Sequence, residues 1–178
     1  MRRLLATALA ALALAIPAAA ETVPEPDSYH AAPYEAPVPE TLRRANVVDA
    51  AGAMRLREAG AAFIDVLPQT RRPEGLPAGT FWRVPPHDSI PGALWLPDAG
   101  FERLTPTEEA ALSAGLQRAT GGDRDKPLVI FCRPDCWLSW NAARRAVALG
   151  YSAVNWFPGG TAAWEAAGGT LEPVAPSE

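Results

Sequence analysis

The stretch Leu128-Val129-Ile130-Phe131-Cys132-Arg133-Pro134-Asp135-Cys136-Trp137 decides how this chain folds. Its run of large apolar residues after Pro127 is too short for a helix and predicts a strand buried on both faces. The apolar run stops at a thiol. Pro134 and Asp135 then favour a turn. Beyond it Ala142, Ala143, Ala146, Val147 and Leu149 recur at helical spacing until Gly150, predicting a helix over residues 139–149. In open α/β sheets reactive groups sit where a strand's carboxyl end meets a helix, and Cys132 holds that position.

The same rhythm extends in both directions. Downstream, residues 151–157 read as another strand, Gly159-Gly160 as a turn, and residues 161–167 as a short helix closed by Gly168-Gly169. Upstream, Thr105-Pro106-Thr107-Glu108 is a capping box with proline at the first helical position, so a helix runs to Thr120 before Gly121-Gly122. Ala93-Leu94-Trp95-Leu96 reads as a short strand, and residues 62–67 as a buried strand that is apolar except for Asp65. Asp49 caps an Ala-rich helix that ends at Gly60, and the folded part starts near Asn46-Val47-Val48. Strands separated by helices throughout predict an α/β domain over residues 46–174, a mainly parallel sheet flanked by helices on both faces, with a tail at 175–178.

Three segments fall outside this rhythm. Arg2 and Arg3, an apolar run over residues 4–16 and Ala18-Ala19-Ala20 have the layout of a secretory signal over residues 1–20, cleaved before Glu21. That run is shorter than the roughly 20 residues a membrane span needs, so the expected location is periplasmic, with no stable membrane span after cleavage. Residues 21–45 carry Pro24, Pro26, Pro33, Pro37 and Pro39 without apolar periodicity, and read as an extended arm. Residues 68–92 form a Pro-rich insertion holding Arg71, Arg72, Phe81, Trp82 and Arg83, long enough that a functional use is expected. Without Arg2 and Arg3, 14 basic side chains face 20 acidic ones, a formal net charge of −6. Nucleic-acid binding needs clustered positive charge and is disfavoured.

Cys132 and Cys136 are the chain's 2 cysteines. In an oxidising compartment they are candidates for a disulfide, and a turn at Pro134-Asp135 brings them within bonding reach. Amide dipoles at the helix start favour the Cys132 thiolate, while Trp137 covers Cys136, so Cys132 is expected to react first. Three uses stay open: a redox pair, a static staple, and capture of a soft ion such as copper(I) with His87 as a third ligand. Arg133, Asp135, Trp137, Trp82, Arg83 and Asp65 are the candidates for contact with a substrate or partner. No intrinsic cofactor is expected.

Several of these stretches resemble rhodanese domains. Ala62-Phe63-Ile64-Asp65-Val66 is similar to their early strand, Ile90-Pro91-Gly92-Ala93 to their Ile-Pro-Gly-Ala turn, and residues 128–132 to the strand that delivers the catalytic cysteine. Gly159-Gly160-Thr161-Ala162-Ala163-Trp164 with Gly168 looks like their closing signature. The string Cys132 to Trp137, Ser139-Trp140-Asn141-Ala142-Ala143 and the segment 82–97 further resemble an exported subgroup, the PQQ-dependent catabolism-associated CXXCW motif proteins, although three residues separate the cysteines here. That resemblance implies a periplasmic accessory of alcohol catabolism, whose partners would be a quinoprotein dehydrogenase, a cytochrome or a transport component. It leaves open whether the chain is an enzyme. Active rhodaneses cradle a persulfide with loop amides, and Pro134 contributes none, so weak thiosulfate sulfurtransferase activity is expected. A tyrosine-phosphatase loop would carry arginine six residues after the nucleophile, where Leu138 stands.

Overall fold

In the computed structural model, which describes residues 23–177, the apolar run Leu128–Phe131 is the central strand of the main sheet. In chain order the elements are β1 (Asn46–Val47), α1 (Ala50–Glu58), β2 (Ala62–Asp65), β3 (His87–Ser89), β4 (Leu94–Trp95), α2 (Pro106–Thr120), β5 (Leu128–Phe131), α3 (Trp137–Ala148), β6 (Val154–Phe157), α4 (Gly160–Ala166) and β7 (Glu172–Val174). The sheet order is β1-β6-β5-β2-β4, and every pairing in it is parallel. The expected leader, residues 1–20, and its cleavage point lie outside the described residues.

Side chains alternate across a strand, so one sheet serves two cores. Ile64, Leu128, Ile130, Val154 and Trp156 pack on one face with Leu112 and Leu116 of α2 and with Trp140, Ala143 and Ala146 of α3. Phe63, Val129, Phe131 and Phe157 pack on the other face with Ala53 of α1 and Trp164 of α4. This is the α/β arrangement with helices on both faces that the pattern predicts.

Several boundaries shift inward. The strand expected over 62–67 ends at Asp65, whose carboxylate accepts the Leu67 amide and turns the chain out of the sheet. The strands expected over 93–96 and 151–157 are the shorter Leu94–Trp95 and Val154–Phe157. A second ribbon is unexpected. Within the insertion, His87–Ser89 pairs antiparallel with Glu172–Val174, while the tail runs beside β4 through the Ser177 amide and the Trp95 carbonyl.

The arm is part of the fold. Leu42 is buried in the α2–α3 core, and Val23, Tyr34, Ala36 and Val38 pack against it. Helix α3 therefore lies between the sheet and the arm, which explains why residues 137–143 are all buried.

Candidate functional site

Helix α3 begins at Trp137, two residues before the expected start, with Cys136 as its N-cap. Pro134 and Asp135 form the turn before it, and Asp135 takes the left-handed region at φ 53°, which Asp tolerates better than most residues. The turn brings the Cα atoms of Cys132 and Cys136 to 6.3 Å, and the two are joined as a disulfide. The helix-end field therefore acts at least as strongly on Cys136, the N-cap, as on Cys132.

Three supports fix the loop. The Cys132 carbonyl accepts the Thr161 amide at 3.1 Å, so the start of α4 abuts the first cysteine. The Ser139 hydroxyl donates to the Cys136 carbonyl at 2.9 Å and accepts the Trp156 indole N–H at 2.9 Å, tying the loop to the sheet. The third support comes from the arm. Ala36 donates its amide to the Asp135 carbonyl at 3.0 Å and the Tyr34 carbonyl accepts the Trp137 amide at 2.9 Å, an antiparallel bridge that sets Glu35 opposite Cys136.

Further arm contacts surround that bridge. Arg133 donates to the Glu35 carboxylate. The His30 ring stacks on Trp137 at 3.8 Å between centroids and 12° between planes. Buried Asn141 accepts the His30 amide at 2.8 Å and donates to the His30 and Gly100 carbonyls at 2.9 Å each. Cys132 and Cys136 are 2% and 3% exposed. The Trp137 indole N–H is buried without a hydrogen-bond partner.

The remaining candidates fall elsewhere. Asp65 is fully buried; its Oδ2 accepts the Ser89 hydroxyl at 2.5 Å and meets His87 Nε2 at 2.8 Å, so it anchors the β3–β7 ribbon to the sheet. The copper(I) alternative drew on His87 as a third ligand. The His87 ring is held by Asp65 and packs on Trp95 at 4.4 Å, and no group of three His, Cys, Asp or Glu side chains suited to a metal gathers among the described residues. Arg71 pairs with Asp98 at 2.8 Å, and Arg72 donates to the Thr80 and Pro77 carbonyls. Arg83 lies over the exposed Phe81 ring, and no hydrogen bond, ion pair or ring contact joins it or Trp82 to the cysteine loop among the described residues. The loop thus holds Cys132, Arg133, Asp135, Cys136 and Trp137, while Asp65 sits in register with Phe131 at its base and binds His87.

A strand end, a cysteine loop and a helix closed by a Gly-Gly turn form the frame expected from the resemblance. The family described as the rhodanese-like domain matches residues 49–167. The chain belongs to the rhodanese-like domain family. Among solved structures, it is similar to the rhodanese-like domain of an Anabaena protein, at 16% identity over 77% of this chain and 87% of that one, with a TM-score of 0.45. It is also similar to a Rhodopseudomonas palustris protein of unknown function, at 18% identity over 76% of this chain and 99% of that one, with a TM-score of 0.42. No curated protein matches the chain.

Sequence reasoning missed His30, Glu35 and Asn141. His30 and Glu35 stand in the Pro-rich arm, where no periodicity marks them, and Asn141 reads as one polar residue on a helix. The available signal was the burial demanded by Trp137-Leu138, Trp140 and Ala142-Ala143, which leaves the first half of α3 no solvent face and requires a cover.

Proposed function

We propose that this rhodanese-like protein is an exported thiol–disulfide or sulfur-handling accessory of PQQ-dependent alcohol catabolism, with Cys132 and Cys136 as its working pair. The observation that carries the reading is the disulfide at the strand end where rhodaneses hold their catalytic cysteine. A bridge closing so small a loop stabilises by only about 2 kcal/mol through unfolded-state entropy, against about 4.7 for a loop of ~100 residues, so stability alone is a weak reason for it. The resemblance of the Cys132 to Trp137 string and its surroundings to the CXXCW proteins supports the catabolic setting. A quinoprotein dehydrogenase, a cytochrome or a transport component is the proposed partner.

Sulfur transfer from thiosulfate is not the proposed reaction. Pro134 supplies no amide, and the Trp137 amide is taken by Tyr34, so two donors that could face a persulfide are lost. A second reading, favoured by the burial of both sulfurs, is a docking module whose bridge only fixes the loop. Thiosulfate-to-cyanide assays and a Cys136→Ser variant separate these ideas. The reading expects little turnover, and loss of function in Cys136→Ser with the fold intact. Rhodanese-level turnover abolished by Cys132→Ser contradicts it, and full function in Cys136→Ser favours the docking module.

A further inference from the structure

The edge of the cysteine loop at residues 135–137 is occupied by the chain's own arm, in a manner an extended segment of another protein can reproduce. We propose that this edge docks an extended, cysteine-bearing segment of a redox partner, and that residues 30–36 hold the place as a displaceable clasp. The inference rests on the redox reading of the pair and names the surface on which exchange takes place.

Four observations carry it. The arm uses main-chain bonds, Ala36 N–H to Asp135 and Trp137 N–H to Tyr34, which any extended backbone can make, as in strand addition to a free edge. In that bridge the residue at position 35 stands directly opposite Cys136, so a partner cysteine there is placed against the bond to be exchanged. With the arm in place Cys132 and Cys136 are 2% and 3% exposed, so a protein thiol reaches the bond only once the cover of the loop opens. The cover is also incomplete in its bonding: Trp137 is 2% exposed and its indole N–H lacks an acceptor, which a partner carbonyl can supply.

The side-chain contacts that hold the clasp are displaceable. Glu35 and Arg133 pair with side chains 70% and 50% exposed, where ion pairs contribute little. The His30–Trp137 stack, the Asn141 bonds and Tyr34, which packs on Phe101 and accepts the Glu102 amide, make up the rest.

The exchange balances as a dithiol oxidation. A partner thiolate attacks Cys136 Sγ, forming a mixed disulfide and releasing Cys132 as thiolate. The partner's second thiol then displaces Cys136, leaving the partner with a disulfide and both cysteines as thiols. Two electrons and two protons pass from partner to pair.

The test compares full chains. Disulfide reduction by dithiothreitol, read by alkylation and intact mass, is timed in wild type and in a variant carrying His30→Ala, Glu35→Ala and Ala36→Pro, the last removing the amide that binds Asp135. Reduction at least tenfold faster in the variant, slowed towards wild type by a synthetic peptide of residues 28–38 at millimolar concentration, is the expected result. Equal rates in both chains overturn the clasp while leaving the redox reading standing. Faster reduction that the peptide does not slow marks lost stability and overturns it as well. A bond that resists dithiothreitol in both folded chains overturns the redox reading and this inference with it.

Discussion

Gly160 has no room for a side chain. A Cβ there would lie 2.2 Å from the Cys132 carbonyl oxygen, and its φ of +52° is one that side-chain-bearing residues rarely adopt. Gly168 also has positive φ, at +91°, yet nothing lies within 4 Å of its Cβ position. The pair separates contact from conformation. Gly168→Ala is expected to cost about 1 kcal/mol, the conformational share alone, whereas Gly160→Ala should cost about 2–4 kcal/mol because the cysteine loop must move. Urea unfolding of both variants checks this; equal losses would mean that α4 does not buttress the loop. The Gly159-Gly160 signature is visible in the sequence, but its reason is not, because the neighbour that forbids a side chain is the Cys132 carbonyl, distant in sequence at the start of the cysteine loop.

At the scale of elements, the start of α2 shows local chemistry and tertiary structure agreeing. Thr105 accepts the Glu108 amide, and the Glu108 carboxylate accepts the Thr105 amide at 2.7 Å. That backbone bond, with the Thr105 hydroxyl, holds the Glu108 carboxyl below its usual range. A depressed folded pKa contributes stability that is present above the unfolded value and lost as pH falls through the folded one. Thr105→Ala should therefore lower stability by about 1 kcal/mol at neutral pH, and the gap between variant and wild type should shrink below about pH 4, as urea titrations at several pH values can measure. Here all the information lies within a few residues, so the sequence discloses it. Helix α3 is the opposite case. Its N-cap, Cys136, makes no side-chain capping bond, and its first turn is buried on both sides, so neither a cap signal nor an amphipathic stripe marks the start at Trp137. The β3–β7 ribbon escaped for a related reason: His87-Asp88-Ser89 and Glu172-Pro173-Val174 have no apolar alternation, and they are held by their pairing and by distant partners such as the buried Asp65.

Across the whole molecule, the sheet, its order of elements and the position of the cysteine loop were legible because each apolar strand and each glycine stop reports on its own neighbourhood. What the loop does depends on residues distant in sequence. The arm pairs with the edge of the loop through Tyr34, Glu35 and Ala36, Asp65 ties the β3–β7 ribbon to the sheet through His87, and none of these pairings leaves a local pattern. The central claim is that Cys132 and Cys136 exchange electrons in use. The midpoint potential of the pair, measured in the full chain by equilibration with thiol–disulfide buffers and quantified by alkylation and mass, tests it most directly. The account predicts a value between about −120 and −270 mV, the range of working dithiols, and a potential below about −300 mV, where structural disulfides lie, would contradict it.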